Sequence, residues 1–108
     1  MPSNSFAPTV GGTKTLAVTA VSASVTLDPK DVASATNKGG HTTMRLYNAG
    51  PNVAFVRWGV GPQVATANDV PLIPGVVELF AKSYSDDTVA AISPGGTGTV
   101  YVTCGEGV

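Results

Sequence analysis

Tyr47-Asn48-Ala49-Gly50-Pro51-Asn52-Val53-Ala54-Phe55-Val56-Arg57-Trp58-Gly59 places a backbone reversal between two runs that suit pleated chain. Gly tolerates positive φ, Pro fixes φ near −65°, and Asn bonds its own backbone, so Asn48 to Asn52 reads as a turn. Before it, Thr42 to Asn48 alternates, with Met44 and Leu46 on one face and Arg45 and Tyr47 on the other. After it, Val53 and Phe55 alternate with Ala54, Val56 and Trp58, so both faces of that strand are expected to be partly covered. The reading is a β-hairpin in which Asn52 to Gly59 pairs with Thr42 to Asn48. Glycine at Gly50 is expected to supply a positive φ in the loop.

The flanking sequence has the same character. Leu16 and Val18 share a face, whereas Val21, Ala23, Val25 and Leu27 continue on the opposite parity. A one-residue slip reverses the faces of a strand, so a bulge, bend or tight turn is expected near Ala20-Val21. Asp28 to Asp31 is a turn, and Val32 to Gly40 a small polar loop or at most one helical turn. Gly61 to Pro74, with Pro62, Pro71 and Pro74, reads as a long irregular connection. In Val76 to Lys82, Val77, Leu79 and Ala81 alternate with Glu78 and Phe80. Thr88 to Ser93 and Thr97 to Cys104 follow, split by Pro94-Gly95-Gly96, with Val100, Val102 and Cys104 facing one way and Tyr101 and Thr103 the other. About seven strands with turns every eight to twelve residues or so predict an all-β fold, an antiparallel β-sandwich or jelly-roll-like barrel. Residues 1–12 carry no charge and no period, and are expected to form an extended arm anchored by Phe6 and Val10 on a single domain over residues 13–108.

Composition agrees. Val and Thr number 29 of the 108 residues, whereas Leu, Glu, Gln, Arg, Met and Lys together number 16, a ratio that favours strands. Only 12% of residues are charged and the net charge is −1. The six basic residues are scattered, which argues against a nucleic-acid partner. A surface this neutral is expected to be covered in part by copies of the chain or by another protein. The first thirteen residues lack the positive charge of a secretory leader, and Pro94, Gly95, Gly96 and Gly98 interrupt the uncharged stretch 88–105, so no membrane span is expected.

The search for chemistry is brief. Cys104 is the only cysteine and His41 the only histidine, too few for an intrachain disulfide or a metal centre at ligand spacing. Asp28, Asp31, Asp69, Asp86 and Asp87 all fall in turns, where Asp is a turn former. The Gly-rich stretches at Gly59 and Gly95 lack the Lys-Ser/Thr of a phosphate cradle, and no serine has a histidine at triad spacing. No catalytic, cofactor or metal residue is therefore assigned, and an enzyme is not expected. Recognition potential rests on Trp58 with Arg57, Tyr47, Tyr84 and Tyr101, since aromatic residues and Arg are the side chains that anchor interfaces. The candidate interface residues are Phe6, Pro8 and Val10 of the arm together with Arg57, Trp58 and Tyr84. Trp58 reads equally as core.

Three runs carry a resemblance: Arg45 to Gly59, Val70-Pro71-Leu72-Ile73-Pro74-Gly75-Val76-Val77-Glu78, and Gly98-Thr99-Val100-Tyr101-Val102-Thr103-Cys104-Gly105-Glu106-Gly107. They resemble a signature of small structural proteins of tailed bacteriophages, the head decoration or cement proteins. The likeness covers residues 42–107, about 60% of the chain. It implies a β-sandwich bound in many copies to the outside of an icosahedral head, bridging capsid subunits. The implied partners are the major capsid protein and the chain itself, as a trimer rather than a dimer. The implied location is the capsid surface of the virion, after synthesis in the host cytoplasm. The alternative is a glycan- or receptor-binding β-sandwich of a phage fibre or capsid surface, with Trp58 and tyrosines stacking on sugar rings.

Overall fold

A computed structural model describes residues 6–8, 11–27, 32 and 41–106. Its strands are β1 (Ala7–Pro8), β2 (Lys14–Val18), β3 (Ala23–Thr26), β4 (Thr43–Asn48), β5 (Ala54–Gly59), β6 (Val70–Leu72), β7 (Val77–Ala81), β8 (Thr88–Ile92) and β9 (Gly98–Glu106). One sheet runs β7-β4-β9, with β2 and the two-residue β1 sharing the far edge of β9; the other runs β3-β8-β5-β6. All pairs are antiparallel. The two sheets pack face to face as an open sandwich, so the barrel alternative is set aside.

Two of the nine strands lie where the sequence pattern marked none. Strand β1 falls in the arm. Strand β6 lies in the stretch expected to be irregular, and its Pro71 sits opposite Phe55 on the outermost strand of the second sheet. An edge strand tolerates a missing N–H, which is why proline does not break it.

The predicted hairpin does not form. β4 pairs with β7 and β9, while β5 pairs with β6 and β8 in the opposite sheet. The segment Asn48 to Val53 is a corner that carries the chain from one sheet to the other. Asn48 is buried and makes the corner. Its Oδ1 accepts from Gly50 N at 2.9 Å, and its Nδ2 donates to Asn52 O at 2.9 Å and to Leu72 O at 2.8 Å. Ser93, also buried, donates through Oγ to Val53 O at 3.0 Å and through its backbone N–H to Thr19 O at 2.8 Å. Gly50 does not have a positive φ; Gly11, Gly61, Gly75 and Gly96 do. Glycine is needed at Gly50 because a Cβ there would stand 2.7 Å from Gly98 Cα.

The parity switch near Ala20-Val21 is another corner, between β2 in the first sheet and β3 in the second. It leaves Val21 74% exposed rather than in line with the inward Leu27. Leu16, Val18, Met44, Leu46, Val100, Val102 and Cys104 face Ala54, Val56, Leu72, Val89 and Ala91 across the sandwich. Trp58 lies on the inward face of β5 and packs on Phe80 of β7, ring centroids 5.1 Å apart. That contact settles the parity of β7: Phe80 points in, and Val77 and Leu79 point out, 53% and 43% exposed.

The arm returns to its own sheet. Ala7 and Pro8 pair with Glu106 and Gly105, and the Phe6 ring lies 5.7 Å from the Arg45 guanidinium. Val10 lies outside the described residues. Removing residues 1–8 is expected to leave a folded sandwich, because the core begins at Leu16. The short ladder contributes about 1 kcal/mol. Thermal unfolding of the truncated chain should therefore start about 4–8 °C lower. An unchanged midpoint would mean the arm does not hold to its own sheet.

Candidate functional site

The two outer faces of the sandwich differ. Over the β3-β8-β5-β6 sheet, residues 60–69 cover part of the outer face. Arg57 donates to Val64 O at 3.1 Å and pairs with Asp69 at 3.4 Å, and Ala65 N donates to Ser22 Oγ at 2.8 Å. Ala65 and Ala90 are buried although neither belongs to the core between the sheets, as a loop laid on the outer face produces.

Among the described residues, no loop lies over the outer face of the β7-β4-β9-β2 sheet, and this face is open. Directly opposed residues share a face, so register defines its rows. Val77, Tyr47, Tyr101 and Thr15 form one row, and Leu79, Arg45 and Thr103 the next. Tyr47 and Tyr101 stack with ring centroids 6.0 Å apart and planes 15° apart. They are 36% and 38% exposed. Thr13 and Thr103 share a hydroxyl–hydroxyl hydrogen bond of 2.7 Å. Between these groups lies a hollow of about 290 Å³ lined by Thr13, Arg45, Tyr47, Val77, Tyr101 and Thr103. Among the described residues that line it, Arg45 alone is charged.

The structure disperses the candidate interface residues. Phe6 and Pro8 lie at the margin of this open face. Arg57 is exposed on the outer face of the other sheet, where it holds the loop at Val64 and Asp69, and Trp58 points into the sandwich against Phe80. Tyr84 is exposed in the turn between β7 and β8. Of the other members of the open face, Tyr47 and Tyr101 belong to the group of aromatic residues and Arg57 with recognition potential, whereas Val77 and Leu79 carry no such signal in the sequence. The outward sense of the two tyrosines is legible from the inward Met44, Leu46, Val100 and Val102. Their adjacency depends on the β4–β9 register, which no local pattern encodes.

The titratable residues elsewhere serve turns and ends. Asp86 Oδ2 accepts from Ser83 N at 2.9 Å. Asp87 Oδ1 accepts from Gly61 N at 3.0 Å and from the Thr88 hydroxyl at 2.9 Å. The buried Lys82 donates from Nζ to Ser83 O and Asp86 O. His41 Nε2 lies 3.6 Å from Glu106 Oε2. Among the described residues, no three of His, Cys, Asp and Glu cluster in a way that holds a metal ion. Comparison with protein families, with curated proteins and with solved structures finds no match in any of the three.

Proposed function

We propose that this chain is a structural attachment module, a decoration or cement protein that binds the outside of a phage head and bridges capsid subunits without chemistry of its own. The observation that carries the reading is the open sheet face, where paired tyrosines, Val77 and Leu79 surround one arginine. Large aromatic and aliphatic side chains around an arginine are the composition of an interface centre. A sandwich tied at its corners by buried hydrogen bonds presents that face rigidly, so little ordering entropy is lost on docking. Repetition over a lattice turns modest single contacts into strong attachment.

The test compares heads that carry the protein with heads stripped of it. Stripped heads should release DNA at lower temperature or after milder chelation, because the bound protein acts by mass action on the assembled shell. The double variant Tyr101→Ser, Leu79→Asp should fold and fail to restore the decorated behaviour. Self-association, as a trimer before a dimer, is part of the proposal and is read by light scattering across micromolar concentrations. The stacked tyrosine pair favours one second reading, a platform for a sugar ring. Equal particle stability with lost adsorption to host cells would select it.

A further inference from the structure

We infer that the hollow between Arg45, Tyr47 and Tyr101 receives an acidic side chain, Asp or Glu, of the protein to which the open face docks. The inference rests on the attachment reading and names the chemistry of its central contact.

Arg45 is half-buried in the middle of the sheet, with Leu79 on one side and Thr103 on the other. Among the described residues no carboxylate lies within ion-pair distance of its guanidinium and no hydrogen-bond acceptor is paired with it; its one specific contact is the Phe6 ring. A cation–π contact engages the charge of the guanidinium without supplying an acceptor to its N–H edge. That edge presents donors in a fork that fits one carboxylate in two parallel hydrogen bonds. Tyr47, Tyr101 and Val77 wall the hollow with apolar surface, which lowers the local dielectric and strengthens a charge pair formed there. Among the described residues, neither row of the face contains a carboxylate that would compete for the arginine.

The hollow suits a side chain better than a sugar. A pyranose offers many hydroxyls and needs several polar partners. The two threonine hydroxyls in the wall already bond each other. A carboxylate on a short aliphatic stem needs only the guanidinium and an apolar wall. The volume of about 290 Å³ holds one such side chain with room for its stem.

The full-length chain is titrated with four probes: N-acetyl-glutamate methylamide, its glutamine analogue, glucuronate and glucose. The readouts are the NMR shifts of the Arg45 Nε–H and of the Tyr47 and Tyr101 ring protons. The glutamate compound should give a saturable shift, with the glutamine analogue weaker by about tenfold or more, as loss of a charge-assisted pair requires. High salt should abolish the shift by screening. Arg45→Gln should remove it, and Arg45→Lys, which keeps the charge but not the fork, should weaken it. Retained Tyr47–Tyr101 ring-current shifts report that each variant is folded. If a variant unfolds, the wild-type comparison of glutamate with glutamine and of low with high salt decides alone. Equal binding of the glutamine analogue, tighter binding of glucuronate or glucose, or no shift with any probe overturns the inference. A chain that decorates heads yet ignores all four probes sinks this inference and leaves the attachment reading standing. A chain that takes the glutamate compound but never binds heads does the reverse.

Discussion

Asn48→Ala should lower the free energy of unfolding by about 3–4 kcal/mol, because it strands more than one buried polar group at once, each costing about 1–3 kcal/mol. The carboxamide donates to Leu72 O and Asn52 O and accepts from Gly50 N, and the side chain is almost wholly buried. Leu72 O belongs to β6 of the opposite sheet, so the bond staples the two sheets at their corner. Asn48→Asp sharpens the test. It keeps the shape and the acceptor facing Gly50 N, but sets an oxygen against two carbonyl oxygens where a donor is needed. Asp should therefore rescue little of the loss, although it can satisfy one of the three bonds. Guanidinium unfolding with an unchanged m-value is the measurement. A loss under about 1 kcal/mol, a typical single net hydrogen bond, would show that the corner does not depend on this side chain.

Gly50→Ala should cost about 3 kcal/mol, at the upper end of overpacking penalties. The cause is contact and not backbone strain. The added carbon would stand 2.7 Å from Gly98 Cα and 3.3 Å from Thr99 N, and both obstacles are backbone that cannot swing aside. The β9 strand would have to move away from the corner, and Ala49 N→Thr99 O, 2.9 Å, would open with it. Gly75→Ala is the control. Gly75 has φ +79° with nothing near its missing Cβ, so alanine there meets only the left-handed conformational penalty of about 1–2 kcal/mol. Gly50→Ala should be the worse of the two. The reverse order would mean that positive φ, not close approach, governs this fold's glycines.

These two residues show where local sequence ceases to be decisive. Asn48, Gly50, Pro51 and Asn52 are turn formers whether the chain doubles back in its own sheet or crosses to the next. The burial of Asn48 and the approach of Gly50 to Gly98 are consequences of strands distant in sequence. The same holds for the open face. That Tyr47 and Tyr101 point away from the core follows from Met44, Leu46, Val100 and Val102. That they stack follows from pairing Tyr47 with Tyr101. For β7 the alternation itself was ambiguous, since both Val77-Leu79-Ala81 and the Phe80 set carry apolar residues. The Trp58–Phe80 contact resolved it.

By itself the sequence determined that the chain is all-β, where most strands lie, and which side chains of β2, β4 and β9 form the core. Those are period-two signals, carried by neighbouring residues and readable without a partner. The tertiary structure decided strand pairing, the sheet in which each strand lies, and which outer face is left exposed. Apart from the β1–β2 and β5–β6 connections, each strand is followed by one in the other sheet. Ladder partners therefore come from far along the chain, and their choice depends on which inward faces fill the gap between the sheets together. That is a property of all the strands at once, so no single stretch of sequence contains it.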